Sequence, residues 1–340
     1  GLPVRRFTLE LPGVIRAECI EYGASITSLN IPMREGAREL VLGCESVADY
    51  EAQEAYLGAV VGRCANRIYR GLLNVEGEEH QLSLNHGEHH LHGGDEGLSQ
   101  QVWSGEIRDD ERGPSVRFTY VSPAGQAGYP GQVRIHVDYT LDREGALWLD
   151  YAAESDVLTA LNLTQHAYFN LGREHSRGCG QHRVLVRAER YLETDANRCP
   201  TGRIHSVKGS PLDLRNWTLM ARALDSHEPL LRDASGFDHT LLLHAGEGRF
   251  QEVAYVESPE ADLRMVMSTD QASLQFYTGN FLEGTPARRG MTYRNHDGFC
   301  LEAQGLPDAT RHPAFPSSLL RPGASYRQRT CYRFERMGEG

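Results

Sequence analysis

The sequence predicts an all-β protein, built as one large sandwich of antiparallel sheets with few and short helices. Short runs of alternating apolar and polar residues recur along the chain and are separated by Gly, Pro, Asn and Asp, which is typical of strands joined by tight turns. No long helical segments alternate with these runs, so a parallel α/β fold is not indicated. No repeat or linker divides the chain, and we expect residues 1–340 to form a single domain.

In the first quarter of the chain, short alternating runs broken by Gly and Pro indicate antiparallel strands joined by tight turns. Alternating runs lie between Phe7 and Ile31 and again between Leu72 and Leu84. One short helix is predicted over residues 46–56, because Ser46 and Asp49 have the spacing of a capping box.

The remaining three quarters continue the strand pattern. Candidate strands cover residues 116–121, 133–141, 147–153, 160–171, 182–192, 237–244, 252–257, 262–268, 273–281 and 298–304, with a last strand in the C-terminal tail. The segment 210–231 has the most helix-like pattern, and Pro211 and Pro229 bound it closely.

Charge and cysteine content limit the partners and the compartment. The formal net charge is -11, whereas binding to nucleic acid phosphates requires a basic surface, so we expect no nucleic acid partner. No apolar run approaches the length that spans a bilayer, and the first ten residues lack the apolar core of a signal peptide. Seven scattered cysteines without a CxxC pair are typical of reduced thiols. We therefore expect a cytoplasmic protein that binds no membrane.

The segment Leu163–Leu171, LTQHAYFNL, is the most informative stretch. In an extended strand its apolar residues would share one face with Gln165, and the opposite face would carry Asn162, Thr164, His166, Tyr168 and Asn170. Such a row of hydrogen-bonding groups suits a concave surface that binds a polyhydroxyl ligand. A solvated sheet face with a surface histidine fits the same pattern equally well.

A second cluster of candidate residues precedes Gly93 and Gly94 and contains the histidines His86, His89, His90 and His92. The spacing resembles the His-x-His pattern of metal-binding β-barrels, and the further ligands would be Asp95, Glu96 and His166. The interpretation we favour is that one of these histidines binds a substrate hydroxyl and the others lie at the surface.

Two carboxylates in apolar surroundings are candidates for acid–base chemistry. Glu302 lies in GFCLEAQ, where burial would raise its pKa towards that of a useful base, unless it forms a structural ion pair with an arginine. Asp238, in SGFDHTLLL, could cap a turn or bind a sugar hydroxyl. Two carboxylates would also suffice for a glycosidase. We interpret Cys300 as a packing residue, because an apolar strand beside an acid disfavours a thiolate.

Together these segments resemble the aldose 1-epimerases, also called galactose mutarotases. The matching pieces occur in the family's order and span nearly the whole chain: GRCANRIYRG, HLHGG, AGYPG, LTQHAYFNL, PTGR followed by DLR, GFDHTLLL, LQFYTGNFL and residues 298–323. The resemblance implies a galactose mutarotase-like β-sandwich. It also implies that the protein interconverts the α and β anomers of free aldohexoses such as glucose or galactose, without a metal or cofactor.

The resemblance further implies roles for individual residues. Glu302 corresponds to the catalytic base, His166 to the acid that protonates the ring oxygen, and His92 to the second histidine of the active site. The implied substrate-binding residues are Asn66, Arg67, Asp238 and Gln275. The sequence leaves open which histidine delivers the proton, and it offers Phe276 or Tyr277 as the aromatic residue beneath the sugar.

This chain departs from the family pattern at two places. Gln165 replaces the usual asparagine before His166, and the segment before HLHGG reads His86-Gly87-Glu88-His89. We expect these departures to affect the preferred sugar more than the reaction.

Acid–base catalysis by this pair sets an expectation for pH. His166 must be protonated at neutral pH, and we expect a nearby carboxylate such as Asp238 or Glu302 to raise its pKa. The pH profile would then be bell-shaped, with its acid limb from Glu302 and its basic limb from His166.

Other functions remain open at the level of sequence. A hexose-6-phosphate 1-epimerase would need extra basic residues at the pocket, which Arg63 and Arg70 could supply. A non-catalytic sugar-binding protein would need neither an acid nor a base. We expect a monosaccharide as the substrate, and a monomer or a homodimer.

Overall fold

The computed structural model describes residues 3–224, 226–244 and 248–338. These residues form twenty-six strands, numbered in chain order. They are β1 (Arg6–Leu11), β2 (Ile15–Ile20), β3 (Ser25–Met33), β4 (Gly36–Glu39), β5 (Val60–Val61), β6 (Arg67–Ile68), β7 (Leu72–Val75), β8 (Glu78–Gln81), β9 (His90–Leu91), β10 (Ser104–Asp110), β11 (Gly113–Ser122), β12 (Val133–Leu141), β13 (Ala146–Ser155), β14 (Thr159–Ala160), β15 (Thr164–Gln165), β16 (Arg183–Val186), β17 (Ala188–Thr194), β18 (Pro200–Ser206), β19 (Thr218–Leu219), β20 (Asp238–Leu243), β21 (Gln251–Glu257), β22 (Leu263–Thr269), β23 (Ser273–Tyr277), β24 (Cys300–Gln304), β25 (Leu319–Leu320) and β26 (Tyr326–Arg336).

Helices are short throughout the described residues. The α-helices are α1 (Val47–Ala52), α2 (Ala221–Leu224) and α3 (Pro229–Asp233), and single 3₁₀ turns cover Tyr69–Gly71, Leu98–Gln100, Gln126–Gly128, His175–Arg177, Arg288–Gly290 and Ala309–Arg311. The predicted capping box is confirmed: the Ser46 hydroxyl accepts from Asp49 N, and the Asp49 carboxylate accepts from Ser46 N. In the described part of the chain, no helix is long and apolar enough to cross a bilayer.

The pairings between these strands are all antiparallel, which confirms the predicted fold class. Strands β1 to β4 form a four-stranded sheet in chain order. The largest sheet has nine strands in the order β10-β11-β12-β13-β26-β22-β21-β16-β19, and a five-stranded sheet has the order β18-β17-β20-β23-β24. Short ladders join β14 to β25, β15 to β5, β6 to β9 and β7 to β8.

One apolar core joins the nine-stranded and five-stranded sheets. Leu274 and Leu301 of the five-stranded sheet lie in the same buried cluster as Met265 and Tyr332 of the nine-stranded sheet. The Tyr332 hydroxyl also donates to Leu301 O at 2.9 Å. Burying a leucine or methionine side chain contributes roughly 1.5–3 kcal/mol. Because side chains alternate along a strand, the residues on either side of Leu301 point to the other face of the five-stranded sheet.

The prediction of a single strand over residues 182–192 is wrong in one respect. The chain forms two strands there, separated at Arg187, and they belong to different sheets: β16 pairs with β21 and β17 pairs with β20. A bulge lies between Ala188 and Arg190. The alternation of apolar and polar residues continues where the chain passes from one sheet to the other, so the sequence pattern does not reveal the change.

The prediction of a continuous strand over residues 160–171 is also wrong, because only Ala160 and β15 lie within strands. The predicted facing still holds for the apolar residues, since Leu163 and Phe169 enter the main core. The polar face is mostly structural. The Asn162 amide bonds to the backbone of Gly305, and the Asn170 amide donates to Asp297 O.

The single helix predicted over residues 210–231 does not form. The described residues of this segment contain β19, α2 and the first part of α3. Pro229 begins α3 because proline lacks the N–H that a helix interior requires, so a longer helix could not continue through it.

Candidate active site

Residues on one face of three neighbouring strands form one wall of the candidate site. Asp238 begins β20, Gln275 lies in β23 and Glu302 lies in β24. Gln275 is directly opposite Glu302 in the ladder and opposite Thr240 on its other side. Cross-strand pairing therefore places the three candidate side chains on the same face.

Two chain segments form the facing wall, where β6 pairs with β9. His92 N donates to Asn66 O at 3.1 Å, and Asn66 N donates to His92 Nδ1 at 3.2 Å. The turn after His92 requires glycine at residue 93, which has φ +95°, and whose Cβ would lie 1.7 Å from Gly62 O. The two hydrogen bonds between His92 and Asn66 hold His92 next to Asn66 and Arg67.

His166 enters the site directly after β15. Its backbone N donates to Ala59 O at 2.9 Å, and its carbonyl accepts from Gly58 N at 3.0 Å. The side chain is buried, with Nε2 at 3.8 Å from Glu302 Oε1 and Nδ1 at 3.5 Å from Cys300 Sγ. One strand, β24, therefore supplies the neighbours of both ring nitrogens.

The Glu302 carboxyl is buried without a full set of hydrogen bonds. Its Oε2 has no partner in the described chain, and an oxygen left unsatisfied in this way costs about 1–3 kcal/mol. Burial raises the pKa of Glu302 well above its ordinary value, Asp238 adds to the increase, and Arg67 opposes it. No arginine of the described residues lies within ion-pair distance of Glu302, so the structural ion pair is not observed.

Asp238 is held by several polar groups. It accepts a 2.6 Å hydrogen bond from Gln275 Nε2, and the Oε1 of that amide accepts from the Thr240 hydroxyl. The guanidinium groups of Arg198 and Arg67 lie 3.4 and 4.0 Å from Asp238 Oδ2. The carboxylate thus lies in a polar network, where it can accept bonds from a ligand hydroxyl.

The two histidines of the site differ in what surrounds them. His92 Nδ1 accepts a backbone N–H, and burial lowers the pKa of His92 well below its ordinary value, with a further contribution from His166. Burial also lowers the pKa of His166 to about 4, although Asp238 opposes the shift. The expectation of a raised pKa for His166 is therefore wrong, because full burial outweighs the attraction of the nearby carboxylate.

Two of the remaining histidines of the cluster are buried rather than exposed as predicted. His90 is buried: its Nδ1 donates to Ser83 O, and its Nε2 accepts from the Tyr129 hydroxyl. His89 Nδ1 accepts from Arg70 N. These two are structural residues rather than the surface histidines we expected, whereas His86 is exposed.

One group of side chains could hold a metal ion. The ligand atoms of His92, His166 and Glu302 lie within 4.8 Å of one another. Two imidazoles and a carboxylate are ligands that Zn²⁺ accepts, and His92 would have to bind through Nε2 because Asn66 N occupies Nδ1. The same atoms are those that proton transfer would use, so a chelator distinguishes the two possibilities.

Two further residues reach the site without having been predicted. The Tyr56 ring lies 4.7 Å from the His92 ring and 5.9 Å from the His166 ring. Arg198 contacts Asp238 and lies over the exposed Phe281 ring at 4.7 Å. Both come from irregular segments far from their partners in sequence, and no local pattern marks them.

The predicted aromatic and basic residues divide between site and core. Phe276 is fully buried in the main core, whereas the Tyr277 ring lies 6.2 Å from the His166 ring. Arg63 is also buried, and its guanidinium donates to Ser122 and to neighbouring backbone carbonyls. Arg63 is therefore not available to bind a phosphate.

The antiparallel β-sandwich is of the galactose mutarotase type, and one face of its five-stranded sheet carries the candidate site. The family model described as aldose 1-epimerase matches residues 5–333. The chain belongs to the aldose 1-epimerase family.

Known relatives cover nearly the whole chain. The galactose mutarotase of Homo sapiens is 37% identical over 98% of this chain and 95% of its own length, and that of Rattus norvegicus is 39% identical over the same shares. The aldose 1-epimerase of Escherichia coli is 36% identical over 98% of this chain and 96% of its own. Among solved structures, an aldose epimerase homologue from C. elegans has a TM-score of 0.89 at 28% identity, covering 99% of this chain and 100% of that one.

Proposed function

We propose that this aldose 1-epimerase interconverts the α and β anomers of free aldohexoses, with Glu302 as the base and His166 as the acid. The observation that carries the proposal is the 3.8 Å approach of His166 Nε2 to Glu302 Oε1, in a buried site where Glu302 Oε2 has no partner among the residues that the structure describes. A sugar hydroxyl would supply that missing partner.

The reaction breaks and remakes the C1–O5 bond of the sugar ring. Glu302 takes the proton of the C1 hydroxyl while His166 gives a proton to O5, and the ring opens to the aldehyde. Rotation about C1–C2 presents the other aldehyde face, and ring closure returns each proton to its donor. Each positioned proton transfer contributes about 10²–10⁴-fold to the rate. The cycle involves no redox change and consumes no water, so these residues suffice without a cofactor.

The surroundings of the two ring nitrogens favour His166 over His92 as the acid. The Nδ1 of His92 faces the backbone N–H of Asn66, so a proton on that nitrogen would meet another donor. The Nδ1 of His166 faces the sulfur of Cys300, which can accept as well as donate. We assign His92 the role of a neutral Nε2–H donor to a sugar oxygen.

The remaining predicted residues would hold sugar hydroxyls. Asp238 accepts hydrogen bonds, and Arg67 and Asn66 lie on the facing wall beside His92. Gln275 orients Asp238 through its amide and keeps a second amide hydrogen for the ligand. Arg198, whose guanidinium lies 3.4 Å from Asp238 Oδ2, joins this set of sugar-binding residues.

The alternatives receive less support. Arg63 is committed to Ser122 and backbone carbonyls, which weakens a phosphate-binding role, and Arg70 lies against the Tyr69 ring. A sugar-binding protein without catalysis gains nothing from a buried, incompletely bonded Glu302 that lowers its stability.

Polarimetry tests the proposal. Freshly dissolved α-D-glucose and α-D-galactose are followed with and without the protein, each in the presence and in the absence of a metal chelator. We expect faster decay to the same final rotation, since a catalyst leaves the equilibrium unchanged. No acceleration on either sugar would contradict the proposal, and activity that disappears only with chelator would favour a metal bound by His92, His166 and Glu302.

We also propose that residues 1–340 act as one domain in a reducing, cytoplasmic compartment. Support for the first point is the core cluster shared by the two larger sheets. Support for the second is that all seven cysteines, which lie within the described residues, are free thiols and buried.

A further inference from the structure

We infer that Cys300 is a positioning residue that holds the His166 ring through Nδ1 and directs Nε2 towards Glu302 and the sugar. The inference rests on the proposed function, because it assigns a supporting role within the same acid–base site. The sequence pattern alone predicts only a packing role for Cys300.

The geometry places the thiol and the carboxyl on the same face of one strand. Cys300 and Glu302 are two residues apart in β24, and both are buried. Cys300 Sγ lies 3.5 Å from His166 Nδ1, and Glu302 Oε1 lies 3.8 Å from His166 Nε2. A strand repeats side-chain direction every second residue, at about the spacing needed to reach both nitrogens of one imidazole.

A thiol suits this position because the protonation state of His166 changes during the reaction. When the imidazole is neutral, Nδ1 keeps its proton and donates to the sulfur, which leaves Nε2 free to take a proton on the side that faces Glu302. When the imidazole is protonated, both nitrogens are donors and the sulfur still accepts from Nδ1–H, so the contact persists through proton transfer at Nε2. The backbone N–H of Asn66 allows His92 neither arrangement, because it donates to an unprotonated Nδ1.

The surroundings keep Cys300 in the thiol form that this role requires. Burial raises the pKa of Cys300 well above its ordinary value, and the neighbouring Glu302 adds to the increase. A protonated thiol is a weak nucleophile, but its sulfur still accepts a hydrogen bond, so the position serves hydrogen bonding rather than covalent catalysis.

Two substitutions separate positioning from packing. Cys300→Ser keeps a hydroxyl that donates and accepts, whereas Cys300→Ala removes the group, and Cys331→Ala deletes a buried thiol in the nine-stranded sheet as a matched control. We expect kcat on α-D-glucose to fall about tenfold in Cys300→Ala, which corresponds to about 1.4 kcal/mol. Cys300→Ser should stay within about threefold of the parent protein, since the donor and acceptor are retained. KM should change little in either.

Equal kcat in Cys300→Ala and the parent protein, or an equal loss in Cys331→Ala, would overturn the inference. A second readout avoids dependence on folding of the variants. ¹⁵N NMR of the histidine side chains in the ligand-free parent protein, with the His166 signals identified by their absence from His166→Gln, should show a neutral ring protonated at Nδ1. Protonation at Nε2 would contradict the proposed contact.

These measurements also separate this inference from the function it rests on. If the parent protein failed to accelerate mutarotation, the proposed function would fail while the NMR result still decided the Cys300 contact. If the parent protein were active and the NMR or Cys300→Ala result were negative, only the inference about Cys300 would fall.

Discussion

The Nε2 atom of His166 lies 3.8 Å from Oε1 of Glu302, although His166 follows the short strand β15, Glu302 lies in the five-stranded sheet, and the two are far apart in sequence. β15 delivers His166 to the polar face of the five-stranded sheet, where β24 carries Glu302. Burial raises the pKa of one group and lowers that of the other. The pair therefore retains a single proton over a wide pH range, and transfer of that proton from Glu302 to His166 gives the form that the mechanism uses.

Because the two residues share one proton, we predict a broad pH profile in which His166 sets the acid limb and Glu302 sets the basic limb. This is the reverse of the expectation from the sequence. As pH falls through about 4, the pKa of His166, the pair takes a second proton and Glu302 can no longer act as a base. As pH rises through the elevated pKa of Glu302, the pair loses its only proton and His166 can no longer act as an acid. We expect kcat/KM to be level across neutral pH, measured by polarimetry after subtraction of the spontaneous rate. An acid limb near the ordinary pKa of histidine, about 6.5, would contradict this assignment.

The two histidines should respond differently to substitution. His166→Gln removes the proposed acid, and we expect kcat to fall by about 10²–10⁴-fold. His92→Gln retains an N–H donor, so a smaller loss is expected, with much of it in KM. The comparison is made by polarimetry on both variants under the same conditions. A larger kcat loss in His92→Gln than in His166→Gln would reverse the assignment of the acid.

Asp238 should act mainly in substrate binding. Asp238→Asn keeps the size of the side chain but removes the charge that faces Arg67 and Arg198. Hydrogen bonds to charged groups contribute about 1.5–3 kcal/mol, so we expect KM to rise by roughly 10–100-fold. Asp213→Asn, at a surface ion pair with Arg215, is the control and should leave KM unchanged. Unaltered KM in Asp238→Asn would remove this residue from the binding set.

The turn that delivers His92 should depend on glycine for steric reasons. Gly93→Ala places a Cβ against Gly62 O, whereas Gly77→Ala has nearly the same φ, +96° against +95°, and open space around its Cβ. Both substitutions are strained at a positive φ, by about 1–2 kcal/mol. We expect Gly93→Ala to lower both thermal stability and kcat well beyond Gly77→Ala. Equal effects would show that the close approach to Gly62 has no consequence.

The sequence was informative where periodicity and burial agree. Alternation placed Glu302 and Leu301 on opposite faces of a strand, and the structure does the same. The capping box at Ser46 was equally readable because all its atoms lie within four residues. Arg67, Asp238 and Gln275 lie close together, and Asn66 is hydrogen-bonded to His92 beside Arg67, but only the family resemblance pointed to these residues as a set.

The errors arose where tertiary contacts decide the local structure. Between 160 and 171 the chain keeps the alternation of a strand while pairing with several different segments. His90 was expected at the surface, yet it is buried, and Ser83 and Tyr129 use both of its ring nitrogens. Tyr56 was missed because its contact with His92 depends on how two loops pack, which no local pattern encodes.

Replacement of Glu302 by glutamine tests the central claim most directly. Glu302→Gln preserves the shape of the side chain but cannot take a proton, and Glu106→Gln, on an exposed strand, is the matched control. Polarimetry gives kcat, and calorimetric titration with galactose measures binding independently of turnover. We predict that kcat falls by about 10²–10⁴-fold while the Kd for the sugar changes little. Near-normal turnover in Glu302→Gln would show that another group is the base.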